Sequence, residues 1–158
     1  MNIQLLCVGK LNERYWKEAV AEYQKRLSSY CTLSIEEVKE ARLTDSSSEA
    51  QEIVKDTEGK QIIKKLKKGG YVIALDIQGK HLSSEEFAKR IEDLGLDGKS
   101  NISFIIGGSL GLSKEVLDHA DLRLSFSKMT FPHQMMRVIF LEQLYRSFKI
   151  MKNEVYHK

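Results

Sequence analysis

A glycine-rich loop holds the first residues whose types and spacing suit chemistry. Gly107, Gly108, Ser109, Leu110 and Gly111 form a G-x-S-x-G string directly after an apolar segment. In α/β-hydrolases such a string presents a nucleophilic serine on a strand-to-helix turn, and Asp121 and His133 follow in hydrolase order. Five-residue Gly and Ser patterns also recur by chance, and the chain is short for that fold. The glycines equally favour a close backbone approach to a ligand, to another chain segment, or a plain tight turn.

A second candidate segment runs from Leu124 to Arg137 and predicts a strand end, a small polar loop and a helix start in close succession. Ligands of open α/β sheets gather at the carboxyl ends of the strands. We therefore expect this loop, the Gly107 loop and the turn after Leu75 to form one pocket.

Polar residues near the end of the chain form a third group. Glu142 and Arg146 lie one helical turn apart, which fits an intrahelical ion pair or an RNA-phosphate contact that Glu142 orients. Tyr156, His157 and Lys158 could stack on a base, handle a proton and bind phosphate, or form a disordered polar tail. The four His are scattered without a metal-ligand pattern, so we expect no metal.

Composition predicts one ordinary globular domain. The chain has 158 residues, 42% of them hydrophobic, with one Pro and ten Gly. Its first residues are too short an apolar run for a signal peptide, and no later stretch approaches a membrane span, so we expect a cytoplasmic protein without membrane contact. Cys7 and Cys31 are read as buried thiols.

Positive charge is concentrated at the C-terminal end. The net charge is only +3, but six Lys or Arg and two Glu lie between Lys128 and Lys158. A phosphate backbone would be attracted to this part of the chain.

Hydrophobic periodicity predicts strands that alternate with helices. Helix starts are expected at Asn12, at a Ser48–Gln51 capping box, at a Ser83–Glu86 capping box and at Pro132 in a first helical turn. The predicted strands are 2–8, 32–38, 71–75, 102–106 and 122–126, and the predicted helices follow Asn12, run from Ser48 to about Lys68, from Ser83 to before Gly95, over 114–119 and from Pro132 to about Met151. This order indicates an α/β fold with a mostly parallel sheet, strand 71–75 at its centre and helices on both faces.

The last helix predicts a subunit interface. Its apolar residues spread over more than half the circumference, which one sheet face cannot cover. A second copy related by a two-fold axis would cover the rest. These residues are Met135, Met136, Val138, Ile139, Phe140, Leu141, Leu144, Tyr145 and Phe148.

Five motifs in order resemble the ribosomal large-subunit methyltransferase H family over the whole chain. They are Ile106–Gly108, Leu124–Ser127, Thr130–His133, Glu142–Arg146 and Tyr156–Lys158. The resemblance implies a single SPOUT-like methyltransferase domain over 1–158 with a C-terminal trefoil knot. It also implies S-adenosylmethionine as cofactor and methylation of the imide nitrogen, N3, of a pseudouridine in 23S rRNA of the large subunit. The implied state is a cytoplasmic homodimer that acts on ribosomal RNA rather than DNA.

The same resemblance implies the site residues. Leu75, Gly107 and the run Phe126, Ser127, Lys128, Met129, Thr130 and Phe131 would contact S-adenosylmethionine, largely through backbone atoms, with the side-chain roles of Phe126, Lys128 and Met129 left open. An imide nitrogen must lose its proton to attack a methyl group, so a base is needed. His157 is the first candidate and Glu142 the alternative, with Arg146 on phosphate and Tyr156 stacking. A non-catalytic RNA-binding or ribosome-associated module remains the alternative function, and it would need no cofactor pocket.

Overall fold

Five segments rich in apolar residues form strands. Four helices connect them, and a fifth helix follows the last strand. The computed structural model describes residues 1–158. The strands are β1 (Asn2–Val8), β2 (Thr32–Val38), β3 (Tyr71–His81), β4 (Asn101–Ile106) and β5 (Leu122–Ser125), and the helices are α1 (Arg14–Leu27), α2 (Ser48–Lys65), α3 (Ser84–Leu96), α4 (Lys114–His119) and α5 (His133–Met151). No helix combines the length and the apolar character needed to cross a bilayer.

The strands form one parallel sheet in the order β2-β1-β4-β3-β5. The predicted parallel α/β architecture is confirmed. The prediction that strand 71–75 lies at the centre is wrong, because β4 holds that place and β3 lies between β4 and the edge strand β5. The inner strands β1 and β4 are nearly continuous apolar runs, as strands covered on both faces require.

Helices cover both faces of the sheet, as predicted. The larger core cluster joins the sheet to α1, α3 and α5 and includes Phe104 and Phe140, which are fully buried. The smaller cluster joins the other face to α2 and α4 and includes Leu6 and Ile62. The result is a three-layer domain with its carboxyl strand ends at one edge.

Two predicted helix caps are wrong. Asn12 is not an N-cap, because α1 begins at Arg14 with Glu13 at the cap position, and the Asn12 N–H donates to Gln134 Oε1 instead (3.0 Å).

The Ser48–Gln51 box is off by one residue in a run of three serines. Ser47 Oγ accepts from the Ala50 N–H at 3.1 Å, and α2 ends at Lys65 rather than Lys68.

At the other two helix starts, the observed cap position differs from the predicted one by at most one residue. The Ser83–Glu86 box is confirmed in both directions, with N···O distances of 3.1 and 2.7 Å. Pro132 occupies the N-cap position of α5 rather than its first turn.

β3 is longer than predicted and packs closely against β5. Leu124 pairs with both Leu75 and Lys80, so β3 carries a bulge between these two positions. A Cβ on Gly79 would lie 2.6 Å from the carbonyl carbon of Arg123. Only a glycine lets the two backbones approach so closely.

Helix α5 is covered mostly within its own chain. Phe140, Leu141 and Leu144 are fully buried, because α1 and α3 flank α5 where it packs on the sheet. These three residues therefore need no second subunit to cover them. A stripe that includes Met135 and Ile139 stays partly exposed.

A buried arginine fixes the start of α5. Arg137 is 1% exposed and donates to the carbonyl oxygens of Val8 (3.0 Å) and Gly9 (2.8 Å), and to Glu37 Oε1 (2.8 Å). These bonds tie the first turns of α5 to the carboxyl ends of β1 and β2.

Candidate active site

A cleft of about 560 Å³ lies at the carboxyl ends of β4 and β5 and beside the bulge in the middle of β3. We call it the strand-end cleft. Its walls come from the turn after Leu75, the Gly107 loop and the segment from Leu124 to Met136. The prediction that these three loops form one pocket is confirmed.

Seven of the eight residues predicted to bind the cofactor line this cleft. They are Leu75, Gly107, Phe126, Ser127, Met129, Thr130 and Phe131. Lys128 lies in the same loop but is absent from the lining. Asp76 and Met136 also line the cleft; they lie in segments predicted to form the pocket but were not named as cofactor contacts.

The lining of the strand-end cleft is mixed in character. Leu75, Ile106 and Phe131 provide apolar surface, whereas Asp76 and Thr130 provide a carboxylate and a hydroxyl. Such a wall suits a ligand that has both an apolar ring and polar ends.

Two side-chain hydrogen bonds hold the 126–131 loop. Ser125 Oγ donates to the Ser127 carbonyl at 3.0 Å, and Ser127 Oγ accepts from the Met129 N–H at 2.9 Å. Short serine bonds of this kind stabilise turns locally. The loop is thereby shaped before any ligand binds.

The glycine loop packs on its own chain. A Cβ on Gly107 would lie 3.0 Å from the carbonyl of Gly111 and from Leu112, and Gly111 has a φ of +84°. Of the open interpretations, the structure shows a tight turn, in which the Gly111 N–H donates to the Gly108 carbonyl at 3.1 Å, and the same loop also lines the strand-end cleft.

The hydrolase interpretation fails on geometry. Asp121 Oδ2 accepts from the Val72 N–H at 2.7 Å, at the amino end of β3. Ser109 follows the carboxyl end of β4. The two side chains therefore lie at opposite ends of the strands and cannot contact the same histidine.

Glu142, Arg146, Tyr156 and His157 come together, and we call them the C-terminal cluster. Glu142 Oε1 accepts from Arg146 (2.5 Å) and from the Tyr156 hydroxyl (3.1 Å). The Arg146 guanidinium also lies 4.7 Å from the Tyr156 ring centroid. The predicted ion pair is present, and the tail is packed on α5 rather than disordered.

Proton positions in the C-terminal cluster follow from its donors. Burial, and then the hydrogen bond to Glu142, raise the pKa of Tyr156 to about 12, so the phenol keeps its proton and donates. A guanidinium only donates, so His157 Nδ1, 3.3 Å from Arg146, is the acceptor. His157 Nε2 then carries the proton and donates to Glu85 Oε1 at 2.7 Å.

Glu85 is held in its charged form. A hydrogen bond from its own backbone N–H, and then those from His157 and Ser83, lower the pKa of Glu85 to about 2. The carboxylate therefore accepts from His157 throughout the neutral range. Sequence reasoning missed Glu85, because only the fold brings α3 beside the tail.

No member of the C-terminal cluster lines the strand-end cleft of its own chain. The structure thus brings the four predicted catalytic residues to one another, and the predicted cofactor residues to one another. It leaves the two groups at separate positions within one chain.

This three-layer parallel fold, with its cleft at the strand ends, is that of a SPOUT methyltransferase. The family model described as a predicted SPOUT methyltransferase matches residues 1–157, and the chain belongs to that family.

Curated relatives carry a more specific name, ribosomal RNA large subunit methyltransferase H. The chain is 60% identical to the one from Clostridium novyi, 57% to that from Clostridium kluyveri and 56% to that from Clostridioides difficile. Each alignment spans 159 positions and covers 100% of both chains. The resemblance inferred from five motifs is confirmed.

Solved structures share the fold at low identity. A probable methylase family protein from Haemophilus influenzae gives a TM-score of 0.54 at 13% identity, over 99% of this chain and 70% of that one. A putative methyltransferase from Legionella pneumophila, solved with bound SAM, gives 0.52 at 12% identity, over 96% of this chain and 66% of that one. These likenesses concern the fold alone.

Proposed function

We propose that this protein uses S-adenosylmethionine to methylate N3 of a pseudouridine in 23S rRNA of the large ribosomal subunit. The observation that carries the proposal is the strand-end cleft, found in a chain that matches the named rRNA methyltransferases from end to end. The methylation of ribosomal RNA rests on those relatives. The pseudouridine and its N3 position rest on the motif resemblance.

The residues of the strand-end cleft fit S-adenosylmethionine. Apolar walls at Leu75 and Phe131 suit the adenine ring, and the hydroxyl and carboxylate at Thr130 and Asp76 suit the ribose and the amino acid end. A cleft of about 560 Å³ also lies within the usual range of small-molecule sites, about 300–1,000 Å³. Bound there, the cofactor would supply an electrophilic methyl group on sulfur.

The C-terminal cluster would bind the RNA and receive the imide proton. In the structure the lone pair of His157 Nδ1 faces an Arg146 N–H and is occupied. A phosphate that binds Arg146 would compete for that N–H and free Nδ1 to accept a proton. Glu142 would orient Arg146, which it already contacts at 2.5 Å.

The proposed assembly is a cytoplasmic homodimer of single-domain chains. The C-terminal cluster does not reach the strand-end cleft of its own chain, and the partly exposed stripe of α5 that carries Met135 and Ile139 also carries Glu142 and Arg146. A partner packed along this stripe would bring a second cluster close to the first chain's cleft.

A C-terminal knot belongs to the same proposal. Its support is the motif resemblance, and the bulge of β3 between Leu75 and Lys80, where Leu124 of β5 pairs on both sides, is compatible with it. A folded carrier domain fused after Lys158 would have to pass through the knotted loop, so refolding from urea should be slower than for the same carrier fused before Met1. Equal refolding rates for the two fusions would argue against the knot.

Methyl transfer to ribosomes tests the function. Ribosomes from a strain that lacks the corresponding methyltransferase should accept labelled methyl groups at one 23S rRNA pseudouridine, whereas ribosomes already modified and duplex DNA should not. Calorimetry should first detect S-adenosylmethionine binding. A chain that binds ribosomes but no cofactor would instead be the non-catalytic RNA-binding module.

A further inference from the structure

A second cavity, of about 250 Å³, lies between the start of α3 and the middle of α5. We call it the α3–α5 cavity. It shares three wall residues, Leu124, Phe126 and Phe131, with the strand-end cleft. The two spaces are therefore side by side, separated only by these side chains.

The size of the α3–α5 cavity suits one small ring. An apolar cavity of about 150 Å³ holds a benzene molecule, so about 250 Å³ admits a pyrimidine with its two exocyclic oxygens. The strand-end cleft has more than twice that volume and matches the larger cofactor.

The walls of the α3–α5 cavity are aromatic. Phe87, Phe126 and Phe131 line it, and the Phe87 and Phe126 ring centroids lie 6.1 Å apart in an edge-to-face arrangement. Phe87 is only 3% exposed, so its ring is fixed by packing. Proteins hold unstacked RNA bases against aromatic side chains of this kind.

One polar side chain in the wall retains unused hydrogen-bonding capacity. Gln143 Oε1 accepts from Ser84 Oγ (2.7 Å), and Gln143 Nε2 donates to Glu142 Oε2 (2.8 Å). One amide hydrogen and one lone pair of Gln143 remain. The free amide hydrogen can be donated to a carbonyl oxygen of a pyrimidine imide, which leaves the nitrogen between the two carbonyls open to reaction.

Gln143 also connects the cavity to the C-terminal cluster. Its partner Glu142 accepts from Arg146 and Tyr156, and Arg146 contacts His157. A base in the α3–α5 cavity would have the strand-end cleft on one side and this cluster on the other. Those are the two neighbours that methyl transfer with proton removal requires.

We propose that the α3–α5 cavity receives the target base, turned out of the RNA, and that Gln143 donates a hydrogen bond to a carbonyl beside its imide nitrogen. Enzymes that modify a base commonly turn it into a close-fitting pocket of this kind. The proposal rests on the proposed function and adds the place where the substrate binds.

Two variants test the cavity. Ile139→Trp fills it from α5, and Gln143→Leu removes the hydrogen bonds while keeping the shape. Ile53→Trp is the matched control, because Ile53 is 65% exposed on α2, across the sheet. Calorimetry with S-adenosylmethionine, light scattering, melting temperature and single-turnover methylation of unmodified ribosomes are measured for each.

Filling the cavity should lower the single-turnover rate by about 100-fold, since misplacing a reacting group has effects of that size. Gln143→Leu should lower it by about 10-fold or more, because the imide edge loses its partner. Cofactor affinity should stay unchanged in both, and Ile53→Trp should behave as the wild type. If Ile139→Trp does not fold, Gln143→Leu alone tests whether the cavity receives the target base.

Two outcomes would overturn the proposal. One is full methylation by Gln143→Leu and by folded Ile139→Trp. The other is a rate loss of Gln143→Leu that accompanies dissociation of a dimer in light scattering, which would make Gln143 part of a subunit contact. Because Ile139 lies on the stripe proposed to contact the partner, Ile139→Trp is compared with the wild type only where it stays dimeric. A wild-type protein that binds cofactor but methylates no ribosome would instead contradict the proposed function itself.

Discussion

Gly79 is the residue at which a single added carbon should matter most. Its Cβ would lie 2.6 and 2.7 Å from the carbonyl carbon and oxygen of Arg123, and backbone cannot move aside as a flexible side chain can. We expect Gly79→Ala to lower the free energy of unfolding by about 1–3 kcal/mol, the usual cost of overpacking. Because β5 leads into the 126–131 loop, S-adenosylmethionine affinity should fall as well. Urea unfolding and calorimetry measure the two effects.

Gly95→Ala is the control for that experiment. Its Cβ would meet only the flexible end of Met1, at 3.1 Å, and it lies inside α3. Alanine in a helix is favoured over glycine by about 0.5–1 kcal/mol, so this variant should be as stable as the wild type or more so. A Gly79→Ala protein with wild-type unfolding would contradict the close packing of β3 and β5.

Both thiols should be unreactive in the folded protein. Burial raises the pKa of Cys7 to about 12 and that of Cys31 to about 11, and the thiolate is the reactive form. We expect no reaction with Ellman's reagent at pH 8 until denaturant is added, when both thiols react.

The same shifts carry a pH dependence. In the unfolded chain the thiols ionise near their ordinary pKa. The free energy of unfolding that the protonated thiols contribute is therefore fully present below that pKa. It is lost as pH rises through the folded values of about 11 and 12. Cys7 is buried, as predicted, whereas Cys31 is only partly buried, so that part of the prediction is wrong. Rapid labelling of native Cys7 at pH 8 would contradict its burial.

Residue patterns predicted the residues of the strand-end cleft well and the functional residues outside it poorly. Leu75 and Gly107 were found because glycine and strand-end positions have local signals in the sequence. Glu85 and Gln143 have no such signal, since each gains its role from an element distant in the chain.

At the level of elements, the C-terminal tail is the segment to remove. Deleting Tyr156, His157 and Lys158 should abolish methylation and spare cofactor binding, because none of the three lines the strand-end cleft. The deletion loses partly exposed polar contacts worth about 0–1 kcal/mol each, so the melting temperature should fall by only about 2–4 °C. Differential scanning calorimetry and ribosome methylation measure the two effects.

Single substitutions in the tail separate its roles. His157→Ala should lower the single-turnover rate, whereas Lys158→Ala should weaken ribosome binding and reduce its salt dependence. If the truncated protein methylates ribosomes at the full rate, the tail takes no part in the reaction.

Element order and type followed from hydrophobic periodicity, whereas several boundaries did not. Three successive serines offer equivalent caps, and packing of α2 on the sheet selects Ser47. The extension of β3 to His81 depends on pairing with β5 some forty residues later along the chain. Such non-local pairing leaves no periodic trace in a polar segment like Asp76–Lys80.

At the level of the whole molecule, the oligomeric state depends on α5. Light scattering should report a dimer, and Met135→Glu, on the partly exposed stripe, should shift it towards monomer without unfolding. Phe140→Glu is the contrasting variant, because Phe140 is 0% exposed within one chain and a buried charge there should unfold it. A wild-type monomer at micromolar concentration would contradict the proposed assembly.

The strand order was beyond sequence reasoning altogether. Alternating strands and helices indicate parallel pairing, but many orders satisfy that rule, and local patterns do not choose among them. Here β1 pairs with β4, nearly one hundred residues later along the chain, through positions such as Leu5 and Phe104. Only the packing of side chains throughout the core selects that strand order.

The position of α5 after all five strands also sets an order for synthesis. The five strands emerge from the translating ribosome before α5, whose side chains Phe140 and Leu144 complete the larger core cluster. The nascent chain therefore carries an incompletely covered apolar sheet face until α5 has emerged, and a polypeptide stalled near residue 130 would be prone to aggregate. Because Pro132, His133 and Met136 also line the strand-end cleft, a chain made only to that point has no complete cleft. Cofactor binding therefore requires that α5 has left the ribosome.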